Sequence, residues 1–357
     1  MRGFATFFAV AMVATIIIPL RQAAERNGLA SPVSACIATS QGTMSTGSAT
    51  CTSDGTGGAA VVGHGSSATA TGGTQNLAAV AGNNSQAIAS GGDHNTATVL
   101  GDDSTAEAGE GNHNTATVTG DGSRANARYG DDNAATVEGN GSVASAQVGN
   151  HNTSTVAGDG SVASTFEGSS NTATIVGNDS SAHAYGGDHN MAEVNGDGNY
   201  THVTSGGSNN VSTIEGNNNA SYLERGDGNV ATTVGHGNHV EIFGGANNTT
   251  VTIEGDDNTA GVAGGDNNLV AIDGDNNEAG AAVGNDNVVT VEGNNSSAQV
   301  AFGDNNVATV EGDNSAATAG GTWFDDEHND TTAIVIGDNC TATATDADGQ
   351  TEIVDCT

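Results

Sequence analysis

Small apolar residues alternate with polar residues in short runs along most of the chain. Segments such as TATV, AATVE and ASAQV keep this period of two for about five residues, which is the pattern of a half-buried β-strand. Clusters of Gly, Asp, Asn and Ser, which favour tight turns, separate the runs. The pattern therefore predicts an all-β protein made of short strands and tight turns.

The turns recur at a fixed spacing. Glycines alternate at intervals of nine and ten residues from Gly73 to Gly320, which gives a 19-residue period and 13 repeats, with single-residue slips near Gly207 and Gly245. Strands this short cannot bury a core alone, but successive coils can stack on one another. We therefore expect a two-sheet parallel β-solenoid with 19-residue coils (9 + 10), a thin Ala/Val core and disulfide-capped ends.

One turn of each repeat carries an asparagine column. We interpret it as a structural ladder, because stacked amides can hydrogen-bond from coil to coil while they satisfy the backbone of the turn. The predicted members are Asn95, Asn114, Asn133, Asn152, Asn171, Asn190, Asn210, Asn229, Asn248, Asn268, Asn287 and Asn306. Serine, and later asparagine, is expected to play the same role in the second turn.

A threonine column follows on the outward side of the first strand. Its members are Thr98, Thr117, Thr136, Thr155, Thr174, Thr213, Thr232, Thr252, Thr290 and Thr309. Several coils carry a second threonine two residues earlier, and such T-x-T arrays resemble the ice-binding faces of solenoid antifreeze proteins. Threonine is also common at exposed strand positions because its β-branched side chain suits them. The column is a candidate binding face, for ice or for lateral contact.

The charge of the chain is strongly acidic, with a formal net charge of −36. Removal of residues 1–35 takes away three Arg and one Glu, which leaves 3 − 41 = −38. A chain this acidic repels phosphate backbones, so nucleic acid is excluded as a direct partner. The nine-residue Gly/Asp units look like RTX calcium β-rolls, although Asn stands where the ligand Asp of that family recurs, and the turns also carry paired acids such as Asp102/Asp103 and Asp256/Asp257. Calcium binding is therefore a possible use of these turns, and a solvated surface is the alternative; the sequence leaves any metal ligands unknown.

The ends of the chain differ from the repeats. An apolar run from Phe4 to Ile18 predicts a signal peptide over residues 1–35, or an uncleaved N-terminal membrane anchor. The four cysteines form two local pairs, and we expect the disulfides Cys36–Cys51 and Cys340–Cys356 in an oxidising compartment. This predicts an N-terminal cap over 36–53, solenoid repeats over 54–320, and an inserted loop with the last coil and cap over 321–357.

The half-repeat G-x-x-N-x-A-x-V, seen in GDHNTATV and GDNNVATV, resembles the repeats of curlins, the secreted subunits of bacterial surface fibres. The resemblance covers most of residues 73–311 and implies an exported solenoid. Curlin repeats carry Gln in their strand columns and have no disulfide caps. These differences favour a discrete rod over an endless fibre.

The repeats contain no recognisable catalytic motif. No GxSxG nucleophile motif occurs, and no phosphate-binding loop precedes a helix. We therefore expect no enzymatic activity and no resident cofactor. The sequence predicts a secreted or cell-surface structural repeat protein that serves adhesion or contacts a matrix or an envelope through flat ladder faces, with self-association as a further possible contact. The alternatives are an ice-binding protein and a calcium-binding β-roll.

Overall fold

The computed structural model describes residues 34–204, 206–321, 328–345 and 347–357. The chain divides into two compact units, residues 1–170 and 171–357, and each is a two-sheet parallel β-solenoid, as predicted from the 19-residue period. The predicted signal or anchor segment, apart from Ser34 and Ala35, lies outside the described residues, and so does most of the insertion around Trp323. Over the described residues no helix is long and apolar enough to cross a membrane.

The first unit contains strands β1 to β15. Its first sheet consists of β1 (Ala35–Thr39), β2 (Gly42–Thr46), β4 (Gly58–Val62), β6 (Leu77–Ala81), β8 (Thr96–Leu100), β10 (Thr115–Thr119), β12 (Ala134–Glu138) and β14 (Thr153–Ala157). Its second sheet consists of β3 (Thr50–Ser53), β5 (Ser67–Thr71), β7 (Gln86–Ser90), β9 (Thr105–Gly109), β11 (Arg124–Arg128), β13 (Val143–Gln147) and β15 (Val162–Phe166).

The second unit contains strands β16 to β34. Its first sheet consists of β16 (Thr172–Val176), β18 (Met191–Asn195), β20 (Val211–Asn217), β22 (Val230–His236), β24 (Thr250–Glu254), β26 (Leu269–Asp273), β28 (Val288–Glu292), β30 (Val307–Glu311), β32 (Thr332–Ile336) and β34 (Thr351–Asp355). Its second sheet consists of β17 (Ser181–Tyr185), β19 (Tyr200–Thr204), β21 (Ala220–Glu224), β23 (His239–Ile242), β25 (Thr259–Val262), β27 (Glu278–Val283), β29 (Ser297–Phe302), β31 (Ala316–Ala319) and β33 (Thr341–Ala344).

Successive coils stack in register, so that equivalent residues become neighbours on adjacent parallel strands. Ala116 pairs with Ala135, nineteen residues later. A coil with one extra residue keeps the same register, since Ala231 pairs with Val251. The N-terminal strand β1 is the exception, because it runs antiparallel to both β2 and β4. The first sheet of the first unit therefore begins with a hairpin.

The core of each unit is built from small side chains. Ala97 and Val99 on one sheet, and Ala106 and Ala108 on the other, are almost fully buried, and most coils repeat this pattern, with a buried Ser or Thr at a few of the positions. Alternation between buried and exposed positions follows directly from the two-residue period of a strand. The predicted thin Ala/Val core is confirmed.

Glycine is required at the corners of the coil because the backbones of stacked coils approach closely there. Gly101 has a φ of +151°, and a Cβ at this position would overlap with the carbonyl oxygen of Gly120 in the next coil. Gly111 and Gly130 repeat this relationship at the other corner. The alternating spacing of nine and ten residues in the sequence therefore marks the two corners of each coil.

The two predicted disulfides are present. Cys36 on β1 is joined to Cys51 on β3, with Cα atoms 5.8 Å apart, and Cys340 is joined to Cys356, with Cα atoms 6.6 Å apart. The backbone N–H of Cys340 donates to Ser315 Oγ, so this cysteine occupies the serine position of its turn. Two disulfides indicate an oxidising compartment.

Candidate functional site

In most coils the turn that directly precedes the first-sheet strand, here called the inner turn, is held together by an asparagine side chain. Asn114 shows the geometry: its Oδ1 accepts a hydrogen bond from the backbone N–H of Asn133 at 3.0 Å, and its Nδ2 donates to the carbonyl of Gly130 at 2.7 Å. Both partners belong to the next coil. In the first unit the predicted residues Asn95, Asn114, Asn133 and Asn152 are all buried in this ladder. These amides are occupied by the backbone and are not accessible to a ligand.

The second unit repeats the ladder with threonine in place of asparagine at two positions that the sequence prediction did not foresee, Thr249 and Thr331. Asn171, Asn190, Asn210, Asn229, Asn268, Asn287 and Asn306 are buried in the inner turns, as expected for ladder residues. The prediction for Asn248 is wrong: this residue is exposed with a φ of 51°. Thr249 takes its place and donates its backbone N–H to Asn229 Oδ1 at 3.0 Å. The turn at Gly244–Ala246 contains one extra residue, which shifts the ladder position from 248 to 249.

The turn that precedes each second-sheet strand forms the same kind of ladder, with serine in the first unit and mostly asparagine in the second. Ser123 Oγ accepts from the backbone N–H of Ser142 at 3.1 Å and donates to the carbonyl of Gly139 at 2.7 Å. In the second unit Asn219 replaces it, with Oδ1 accepting from Asn238 at 2.9 Å. Either side chain satisfies one donor and one acceptor of the turn.

A third set of ladders lies on the outside of the turns, at the residue that follows each corner glycine. Asp121 Oδ1 accepts the backbone N–H of Asp102 at 2.7 Å, and Asp102 Oδ1 accepts that of Asn83 at 2.7 Å. Asn140 occupies the equivalent position in the next coil and accepts from Asp121 at 2.9 Å. Sequence reasoning missed these ladders. The signal was the interchange of Asp with Asn at this one position, since both supply the same acceptor.

These contacts change the interpretation of the acidic turns. The hydrogen bond from the Asn83 N–H holds the pKa of Asp102 below its usual value, and that from Thr74 does the same for the pKa of Asp93. The second acid of each pair, such as Asp103 or Asp132, has a positive φ and occupies the left-handed turn position. Within the described residues, no three His, Cys, Asp or Glu side chains converge to hold a metal ion.

The threonine column forms an in-register row on the first sheet of each unit. In the first unit Thr98, Thr117, Thr136 and Thr155 lie on adjacent strands, and all four are half-exposed. In the second unit Thr213, Thr232 and Thr252 form a similar row, as do Thr290 and Thr309. Thr174 is separated from the row by Glu193, and Ala271 separates Thr252 from Thr290.

The second sheet presents different chemistry in each unit. In the first unit Arg128 bridges Glu107 and Glu110, at 2.5 and 2.8 Å, and its guanidinium lies 5.0 Å from the centre of the Tyr129 ring. In the second unit a cluster of histidine and tyrosine rings covers β17, β19 and β21, with neighbouring ring centres 5.2–6.0 Å apart. Neither arrangement recurs elsewhere among the described residues.

The sequence matches no model of a known protein family, and no curated protein is found to be similar to it.

Proposed function

We propose that this protein is a non-enzymatic structural repeat protein of the cell surface or extracellular space that makes lateral contacts through the flat threonine face of its first sheet. The observation that carries the proposal is the in-register row of Thr98, Thr117, Thr136 and Thr155. A side chain repeated at the strand spacing of about 4.8 Å offers the same contact many times, which suits a repetitive partner. The curlin-like half-repeat and the two disulfides support export.

The test compares one charged patch on each sheet. Thr136→Lys with Thr155→Lys places two ammonium groups side by side on the first sheet, because these residues pair on β12 and β14. Ser145→Lys with Ser164→Lys does the same on the second sheet, where these residues pair on β13 and β15. Beads coated with wild-type protein are expected to aggregate or to adhere to cell-envelope fragments, and only the threonine variant should lose this contact. Equal loss in both variants, or no contact by the wild type, would contradict the proposal.

Ice is the second candidate partner, and the T-x-T pairs favour it. Thr96/Thr98 and Thr115/Thr117 lie in register on β8 and β10, which gives a small flat array of hydroxyl and methyl groups. Inhibition of ice recrystallisation by the wild type, and its loss in the Thr136→Lys, Thr155→Lys variant, would support this function. If the wild type does not inhibit ice recrystallisation, ice binding is ruled out.

A further inference from the structure

The middle outward column of the second sheet in the second unit changes character along the coils. It begins with rings, passes through a carboxylate and then reaches two glycines. In order, the column contains His183, His202, Tyr222, Glu241, Gly261, Gly280, Gln299 and Thr318. The rings of His183, His202 and Tyr222 stand above the sheet and are called the aromatic wall. Gly261 and Gly280, which follow after Glu241, leave the backbone uncovered and are called the glycine shelf.

A shallow groove lies at the foot of this wall. Four outward side chains surround it: Tyr222 and Glu224 on β21, Glu241 on β23, and Phe243 directly after β23. Tyr222 and Glu241 are direct neighbours across the two strands. The groove has a volume of about 240 Å³, and Phe243 is 42% exposed at its edge. His239 lies beside it, with Nε2 3.6 Å from Glu241 Oε1.

The backbone gives no local reason for glycine at position 261, whereas close packing on the preceding strand gives one at position 280. Gly261 lies inside β25, does not have a positive φ, and a Cβ there would meet only the carbonyl oxygen of Glu241 at 3.8 Å. A Cβ would therefore fit at position 261, and a β-forming residue there would strengthen the strand. Gly280 continues the shelf on β27, where a Cβ would lie 3.3 Å from the carbonyl oxygen of Gly261. Glycine within a strand often marks a place where a ligand approaches the backbone closely.

We propose that the groove and the glycine shelf together bind a neutral polysaccharide chain. The C–H faces of sugar rings pack on Tyr222 and Phe243, while the carboxylates of Glu224 and Glu241 accept hydrogen bonds from sugar hydroxyls. The bare backbone at Gly261 lets a flat ring lie against the sheet.

The shape and the charge of the surface select this class of ligand. The four strands β21, β23, β25 and β27 span on the order of 14 Å at their usual spacing, which is the length of a short oligosaccharide. The groove is open rather than enclosed, as an extended chain requires. The net charge of −36 disfavours anionic glycans.

The experiment fills the shelf without weakening the fold. Gly261→Gln introduces the residue that the same column already carries at Gln299, so its melting temperature should equal or exceed that of the wild type. Thr318→Gln introduces the same residue farther along the column and serves as the control. The probes are neutral hexasaccharides of β-1,4-glucan, xylan and mannan, with choline as a cationic comparison, each measured by calorimetry.

The wild type and Thr318→Gln should bind at least one of these hexasaccharides, and Gly261→Gln should bind it at least tenfold more weakly. Tyr222→Ala should also lose binding. The proposal is overturned if no hexasaccharide binds, if Gly261→Gln binds as the wild type does, or if only choline binds. The Thr136→Lys, Thr155→Lys variant should retain glycan binding, because its changes lie on the first sheet of the other unit. Failure of the lateral-contact proposal would therefore be distinguishable from failure of this one.

Discussion

At the scale of single residues, Thr233 is a polar side chain in an apolar column. It lies between Ile214 and Ile253 on adjacent strands, is fully buried, and its Oγ1 has no hydrogen-bond partner. A buried hydroxyl that makes no hydrogen bond destabilises the fold, and valine has nearly the same shape. Thr233→Val is expected to raise the free energy of unfolding by about 1–2 kcal/mol, measured by denaturant titration.

The control for this change is Thr201→Val in the same unit. Thr201 is equally buried, but its Oγ1 donates to Ser212 Oγ at 2.7 Å. Because this substitution breaks a hydrogen bond, it should lower stability. If both substitutions raised the free energy of unfolding, the missing hydrogen bond of Thr233 would not be the reason why Thr233→Val stabilises the fold.

The ring cluster of the second unit makes stability depend on pH. Burial, with a smaller contribution from His202, lowers the pKa of His183 to about 4, and burial also lowers the pKa of His202. The unfolded chain binds these protons near pH 6.5, whereas the folded chain does not. The contribution of these histidines is therefore fully present above pH 6.5 and is lost as the pH falls towards 4. We expect the melting temperature to decrease over this range.

His183→Gln provides the comparison for this pH effect. The variant should show a shallower decrease between pH 6.5 and 4.5, because one of the two groups no longer titrates. The ladder acids Asp93 and Asp102 have pKa values below the ordinary value of a carboxyl group, so their contribution to stability falls chiefly as the pH drops through and below that ordinary value of about 4, which is under the range of this test. An unchanged slope in the variant would show that His183 is not responsible.

At the scale of the element, each turn depends on its ladder residue more than on its exposed residues. Asn133 Oδ1 accepts from Asn152 N–H at 3.0 Å, and its Nδ2 donates to Gly149 O at 2.8 Å. Asn133→Ala leaves both groups unpaired, which should cost about 2–4 kcal/mol. Asn133→Ser should cost less, because Ser142 makes equivalent contacts in the other turn. Chemical denaturation of both variants checks the order, and equal losses would contradict this role.

The Cys340–Cys356 disulfide is expected to keep the last strand, β34, attached to the solenoid. In the described chain β34 pairs with β32 alone, and Ile353 on its outer face is 61% exposed. The Cys340–Cys356 disulfide joins the end of this strand to the turn before β33. We expect Cys340→Ser with Cys356→Ser to make residues after 337 sensitive to protease while the central coils stay resistant, because solenoids can unfold from their ends. Peptide mapping by mass spectrometry locates the cuts.

Period and residue type predict most of these elements, and the exceptions have physical reasons. A strand alternation repeated every 19 residues fixes the register, so the columns that begin at Ala97 and Val99 follow from the sequence. The antiparallel hairpin of β1 and β2 lies before the repeat begins, where no column can be aligned. The shift from Asn248 to Thr249 depends on where an extra turn residue is accommodated, and spacing alone does not determine that position.

At the scale of the whole molecule, the sequence predicts a solenoid but not what its irregular face does. Tyr185, Tyr200 and Tyr222 stand out in a chain that is only 3% aromatic. That Tyr222 neighbours Glu241, and that Gly261 comes next in the same column, becomes visible only after the coils are stacked, because Tyr222 and Gly261 are 39 positions apart in the chain. A repeated column can be read from spacing, whereas a site that occurs once requires the register of each coil.

The charge of the molecule leads to a final prediction about salt. In the second unit Glu254, Asp273, Glu292 and Glu311 lie in register on adjacent strands, so that each acid faces another of the same sign. Raising the ionic strength from 0.1 to 1 M shortens the screening length from about 10 Å to about 3 Å. This should stabilise the protein by about 1–3 kcal/mol in total, since like charges directly opposite each other destabilise a sheet by a few tenths of a kcal/mol or more per pair.

Two variants and two cations make this test specific. Asp273→Asn with Glu292→Gln should reduce the salt dependence of the melting temperature. Glu138→Gln should leave it nearly unchanged, because the neighbours of Glu138 are Thr119 and Ala157. Calcium and magnesium compared at equal ionic strength separate screening from binding: equal stabilisation indicates screening of the acidic stripe, whereas a larger effect of millimolar calcium would support specific calcium sites in the turns. If the wild type and both variants show the same salt dependence, repulsion within the column from Glu254 to Glu311 does not limit stability.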